Sequence, residues 1–228
     1  MTTMTTLYPM AVEDYVKVVY AHTEWQDDPI STSVLAARLG LAASSVTEMV
    51  KKLVAQGLVH HVPYGAVTLT ADGTALALRM VRRHRLIETW LVQHFDYSWD
   101  EVHDEAEVLE HALSDRLLDK IDDELGRPTR DPHGDPIPAR DGSVNRPAAV
   151  LLGDVALGEA VRVVRISDRD PVLLRHLEAE GVALDTGLTV VSTDPFTVAL
   201  DGAADELGLA PDALVSIWVS RSEPTRVK

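Results

Sequence analysis

Gly40 and Gly57 cut residues 31–70 into pieces that leave room for only a helix pair and a hairpin. "STSVLAARLG" (31–40) opens on Ser31, an N-cap candidate, and stops at Gly40, a C-cap candidate. "AASSVTEMVKKLVAQG" (42–57) follows after a very short turn and stops at Gly57. "LVHHVPYGAVTLT" (58–70) then reads as two short β-like runs around the turn signal Pro63-Tyr64-Gly65. Upstream, "AVEDYVKVVYAHTEW" places Val12, Tyr15, Val16, Val19 and Tyr20 at helical spacing. Two short helices joined by a tight turn, followed at once by a hairpin, match a winged helix-turn-helix. The plainer alternative is an ordinary small helical domain, and the hairpin directly after Gly57 tells against it. On this reading 43–53 is the recognition helix. Ser44, Ser45, Thr47 and Glu48 are placed to reach base edges and Lys51 and Lys52 to meet phosphates of double-stranded DNA. His60 and His61 are expected in the wing, exposed to water.

The charge distribution agrees with that placement. The chain has 228 residues and a formal net charge of −15, which by itself disfavours a polyanionic partner. Residues 1–95, however, carry 8 basic and 8 acidic residues, whereas 96–228 carry 13 and 28. The acidity therefore belongs to the second part, and a DNA-facing surface belongs in the first. The lack of cysteine excludes disulfides, zinc–thiolate and iron–sulfur centres and a cysteine nucleophile. "MTTMTTLYPM" lacks the basic start and apolar run of a signal peptide, and no uncharged apolar run approaches the roughly 18 residues that span a bilayer. A soluble, cytoplasmic protein without a membrane partner is expected.

Beyond the hairpin, 73–95 reads as one long helix with Asp72 as N-cap. The next helix is expected to start at Ser98, where Ser98 and Glu101 fit a capping box, and a third covers 115–126. Residues 127–149, rich in Pro, Gly and charge, read as a linker. "AVRVVRI", "GLTVVS", "TVAL" and "LVSIWVS", with the short helix "PVLLRHLEAEG" between the first two, form a small, mostly β domain.

The stretch "WDEVHDEAEVLEHALSD" (99–115) interleaves two histidines with seven acidic residues. Wound as a helix, it puts Val102, Ala106, Leu109 and Leu113 on a core-facing stripe. His103, Glu107, Glu110 and His111 fall on a second stripe. Like charges one turn apart destabilise a helix unless something cancels them. A divalent cation would do so, and carboxylates and imidazoles are ligands for first-row metals. A merely solvated acidic face is the competing reading. Histidines placed among carboxylates on one stripe weaken it, as does the i, i+4 pair His84 and Glu88 on the preceding helix. Catalysis finds no support. H-E-x-x-H is absent, as are paired Glu-x-x-His sequences, G-x-G-x-x-G, the P-loop and G-x-S-x-G.

Taken together, "HDEAEVLEHALSDRL" and "DPHGDPIP" resemble the diphtheria toxin repressor family of metal-dependent transcriptional regulators, most closely its manganese-responsive branch. The resemblance implies a mainly α fold with β. A winged helix-turn-helix (1–72) leads into a helical dimerisation and metal-binding domain (73–140). A linker (141–153) then joins an SH3-like domain of the ferrous-transport A type (154–228). It further implies a homodimer that binds palindromic operators when metal-loaded and represses metal-uptake genes. By the same resemblance Asp14, Glu107, Glu110 and His111 form a primary metal site, and His84, Glu88, His103 and Asp170 an ancillary one. Iron-sensing members hold a thioether and a thiol at the positions of Asp14 and Glu107. Two carboxylates here suit Mn²⁺, with Fe²⁺ and other divalent first-row ions also admissible. Two departures stand out. Lys17 occupies the place of a Glu used by short manganese-responsive relatives, which implies a mononuclear primary site. Leu173 stands where the β domain is expected to supply a polar group. A function of another class, metal storage or buffering with an incidental helix-turn-helix, predicts no sequence-specific DNA affinity.

Overall fold

The computed structural model describes residues 8–26, 28–63 and 65–221. The chain divides into two compact units, one of residues up to 84 together with 138–143, the other of 85–137 together with the chain from 144 on.

In the first unit, α1 (Met10–Thr23), α2 (Thr32–Leu39) and α3 (Ala43–Ala55) precede a hairpin of β1 (Val59–His61) and β2 (Val67–Leu69). The Ser31 side chain accepts the backbone N–H of Val34. Gly40 takes φ +65, so its N–H reaches back to the carbonyls of Ala36 and Ala37. Both ends of α2 are thus set by local chemistry. Val12, Val16 and Val19 of α1 share one core with Leu35, Val46, Val50 and Leu53. In the hairpin Val59 pairs with Leu69, and Val67 also bonds the Ile30 carbonyl at 2.8 Å. His60 is exposed, but His61 is half-buried, its Nδ1 lying 3.3 Å from the Ala66 carbonyl. Tyr64, in the expected turn, lies outside the described residues. The long helix α4 starts at Ala71 and runs to Phe95. Asp72 is therefore inside the helix. The cap is Thr70, whose Oγ1 accepts the Gly73 N–H at 3.0 Å while donating to the Gly57 carbonyl at 2.7 Å.

In the second unit, Leu86, Ile87 and Leu91 of α4 pack with Val102, Ala106, Leu118 and Ile137. The expected capping box does not form. The Ser98 carbonyl, not its side chain, accepts from Glu101 and Val102, and α5 runs only from Val102 to Leu109. The acidic stretch is also not one helix. It turns at Glu110 and His111 and restarts at α6 (Asp115–Glu124), whose N-cap side chain is Ser114. An antiparallel six-stranded sheet follows in the order β3-β8-β4-β5-β6-β7. Its strands are β3 (Val150–Leu151), β4 (Ala160–Ile166), β5 (Gly187–Thr193), β6 (Phe196–Leu200), β7 (Glu206–Gly208) and β8 (Ile217–Arg221). Two helices, α7 (Pro171–Ala179) and α8 (Pro211–Leu214), accompany it. Strand β3 begins inside the stretch expected to be linker.

The larger departure is "DPHGDPIP". Rather than tethering loosely, it is buried: Asp131, His133 and Asp135 are 5%, 1% and 5% exposed. Oδ1 of Asp131 accepts the backbone N–H groups of His133 and Asp135, both at 2.9 Å, which folds the loop on itself. The His133 carbonyl accepts from Ile166 N of β4 at 2.9 Å. Arg165 Nε of β4 bonds Asp135 at 2.7 Å, while its guanidinium lies 4.2 Å from the Trp218 ring centroid. Arg85 Nη1 donates to the Pro136 carbonyl at 2.6 Å. Trp99, in the α4–α5 connection, packs against the β-domain core, and Asp100 beside it pairs with Arg175 of α7 at 2.6 Å. These contacts join the helical segment to the sheet. Among the described residues no single helix is long and apolar enough to cross a membrane.

Gly134 is the tightest point of this joint. It takes φ +91, and a Cβ there would collide with the Val164 carbonyl oxygen. Gly134→Ala is expected to cost about 1–3 kcal/mol, the range for forced backbone strain, read as a lowered denaturation midpoint.

Candidate metal centre

The centre of the second unit is Glu88, on α4 and 1% exposed. Its two oxygens face two different imidazoles. Oε1 lies 3.4 Å from His103 Nδ1, and Oε2 lies 3.9 Å from His133 Nδ1. His103 Nδ1 also lies 3.3 Å from Asp168 Oδ2, and its Nε2 lies 3.7 Å from Glu107 one turn on. Single ligand atoms of Glu88, Asp131 and His133, all three buried, fall within 4.8 Å of one another.

His133 is the informative member. Its Nε2 donates to the Trp99 carbonyl at 2.6 Å, with the Trp99 ring stacked against it at an interplanar angle of 12°. In the neutral ring that bond leaves the lone pair on Nδ1, the way a metal-ligating histidine is oriented. Nδ1 is buried and has no hydrogen-bond partner. A buried polar atom left unsatisfied is costly, so an imidazole aimed at two carboxylates fits a cation site.

Burial disfavours charge on His103, yet the hydrogen bonds and charges of Asp168 and Glu88 outweigh it and hold its pKa up to about 11. His133 is likewise raised: burial opposes its charge, but Glu88, Asp131 and Asp168 favour it. Burial, then the negative charges of Asp135 and Glu88, push Asp131 up. Asp168 goes down: burial works against its charge, and the facing imidazoles prevail. Carboxylate and imidazole oxygens and nitrogens, without sulfur, form a donor set suited to Mn²⁺ or Fe²⁺.

The other residues expected to bind metal are distributed as follows. Glu110 is fully buried just beyond α5, and its Oε1 lies 3.4 Å from His111 Nε2. Asp14 lies on α1, and His84 on α4, one turn before Glu88. Asp170 has a different task. It is exposed and caps α7, its side chain accepting from Val172 and Leu173 N–H groups. Asp168, two residues earlier, is the carboxylate that faces His103. Sequence reasoning did not name Asp131, His133 and Asp168, which the structure places beside Glu88 and His103. The "DPHGDPIP" motif held the first two in plain view, and Asp170-Pro171 already had the pattern of an N-cap followed by Pro at N1. Leu173 points into the β-domain core, 6% exposed. In the first unit Ser44, Ser45, Thr47, Glu48, Lys51 and Lys52 all lie on the exposed face of α3, opposite buried Val46, Val50 and Leu53.

Because His103 holds a proton that an incoming cation must displace, lower pH favours the proton. Mn²⁺ affinity at this centre is expected to fall about tenfold per pH unit for the proton displaced, below the raised His103 pKa. Calorimetry in buffers of different ionisation enthalpy should count the released protons. Glu88→Gln should abolish this binding.

Three family models match the chain: the N-terminal DNA-binding domain of iron-dependent repressors over residues 10–67, their metal-binding and dimerisation domain over 70–139, and the FeoA domain over 150–221. The diphtheria toxin repressor of Corynebacterium efficiens is 30% identical over 183 residues, covering 78% of this chain and 79% of that protein. The iron-dependent repressor IdeR of Mycobacterium tuberculosis H37Rv is 31% identical over 193 residues, covering 79% and 84%. Among solved structures, a manganese-dependent transcriptional repressor in complex with manganese superposes with a TM-score of 0.89 at 49% identity, covering 92% of this chain and all of that one (100%). The manganese regulator SloR superposes with a TM-score of 0.76 at 31% identity, covering 92% and 98%.

Proposed function

This chain belongs to the iron-dependent repressor family that includes the diphtheria toxin repressors, and from that membership we propose that it is a manganese-activated repressor which binds a palindromic operator as a dimer and controls metal-uptake genes. It is a metal-responsive transcriptional regulator and not an enzyme. Metal storage without DNA recognition is set aside, because a DNA-binding domain of the repressor family matches residues 10–67. Support for manganese comes from the sulfur-free donors and from likeness to a repressor solved with that metal. Fe²⁺ remains a second effector, as relatives named for iron suggest. The observation that carries the reading is the buried Nδ1 of His133, unpartnered and aimed at Glu88 and Asp131.

Asp14, Glu107, Glu110 and His111 are assigned to the primary site on sequence and family grounds. The ancillary site is assigned to His84, Glu88 and His103, joined by Asp131, His133 and Asp168, with Asp168 taking the place first given to Asp170. A bound cation supplies the positive charge that lets these carboxylates lie together. In its absence clustered carboxylates repel, which disfavours the arrangement that reads DNA. Exposed Phe95, Val108 and Leu117, at 54%, 70% and 45%, offer apolar surface to a second copy of the chain. The division at 72 and 140 into DNA-binding, helical and linker segments, with the β segment starting at β3, and a cytoplasmic location, belong to the same proposal.

Fluorescence anisotropy of labelled operator duplex tests it. Mn²⁺ is expected to tighten binding at least about tenfold over a chelated sample, equivalent to about 1.4 kcal/mol. Asp14→Ala and His111→Ala should each remove that response. Equal affinity in chelator and in manganese would refute the reading.

A further inference from the structure

Glu48 is the one acidic residue on α3, ASSVTEMVKKLVA. It sits in the middle of the exposed stripe Ser44, Glu48, Lys51, Lys52, which follows the i, i+4, i+7, i+8 spacing of a helix face. Its side chain is 66% exposed, and one oxygen accepts from Lys51 Nζ at 2.8 Å. That bond and the charge of Lys51 hold its carboxyl below the ordinary range, so it is anionic at neutral pH. The neighbouring Thr47 hydroxyl is engaged within the helix, donating to the Ala43 carbonyl at 2.9 Å.

An anion at the centre of a helix that approaches a polyanion opposes binding unless it makes a specific contact. The contact open to it is narrow. A carboxylate only accepts hydrogen bonds. In the major groove the donors on base edges are the N4 amino group of cytosine and the N6 amino group of adenine, and adenine N6 lies beside the acceptor N7, which repels a carboxylate. Guanine and thymine present acceptors alone at their edges.

We infer that Glu48 is a base-reading residue whose carboxylate accepts from the N4 amino group of one cytosine in each operator half-site, so that a C·G pair is required opposite the middle of α3. The inference rests on the repressor reading above. Lys51 steadies the carboxylate by partly neutralising it and is otherwise a phosphate contact. The effect on recognition is discrimination at one position, not a general gain of affinity.

The test uses the full chain loaded with Mn²⁺ and selection from a randomised duplex library, with sequencing, for the parent, Glu48→Ala, Glu48→Gln and Lys51→Ala. The parent is expected to enrich a palindrome with an invariant cytosine in each half. Replacing that cytosine should weaken the parent about tenfold or more, the usual scale for one lost base contact. Glu48→Ala should lose the preference at that position alone and keep the rest of the palindrome. Glu48→Gln, an amide that matches adenine N6 and N7, should move the preference from C to A. Lys51→Ala should weaken all duplexes alike with the cytosine retained. The inference is overturned if the parent and Glu48→Ala select the same base profile, or if Glu48→Ala merely binds every duplex more tightly. It is also overturned if Lys51→Ala erases the same position. A parent that enriches no sequence at all would instead bring down the repressor reading.

Discussion

A carboxylate that is 1% exposed and lies between two imidazoles is the constraint on which the second unit is built. Glu88 cannot be buried as an isolated anion, since an uncompensated charge in the interior is strongly destabilising. Compensation comes from His103 on α5 and His133 in the "DPHGDPIP" loop, and Asp168, just after β4, shares His103 with it. Each of these parts is fixed by further contacts of its own. The Trp99 carbonyl orients His133, Asp131 folds the loop, and Arg165 brings Asp135 against the sheet. The charge balance of one residue therefore determines how the helical segment and the β domain meet. A cation in that cluster would act on the joint directly.

The division of charge along the chain has a physical rationale in the same terms. A site made of oxygen and imidazole donors needs many carboxylates, and those carboxylates would repel DNA if they lay beside the recognition helix. Most of the chain's carboxylates lie beyond residue 95, while the segment containing α3 is balanced at 8 basic and 8 acidic residues. Glu48 is an exception within that balance, and an acceptor at the centre of a reading face is better suited to choosing a base than to gaining affinity.

Local chemistry was legible in the sequence. Ser31, Gly40 and the apolar positions of α3 act within one or two turns, so α2, α3 and the hairpin appear where their patterns place them. Glu88, His103 and Glu107 could also be picked out from helical spacing and resemblance. What failed depended on contacts between distant parts of the chain. Thr70 caps α4 because it also reaches Gly57, and the acidic stretch breaks because Ser114 can start a new helix. The "DPHGDPIP" loop has the composition of a linker, and its burial depends on groups from elsewhere in the chain, among them Arg85 and Arg165. Asp170 and Asp168 are two residues apart, and the cap in front of Pro171 explains which of them is occupied with the backbone.

Anomalous diffraction at the manganese edge, from crystals of the Mn²⁺-loaded protein, addresses the cluster most directly. The expected result is a peak bonded to Glu88 and to His133 Nδ1. A manganese-saturated crystal with no peak there, and with His133 Nδ1 hydrogen-bonded to water or to a carboxylate instead, would contradict the assignment of this joint as a metal site.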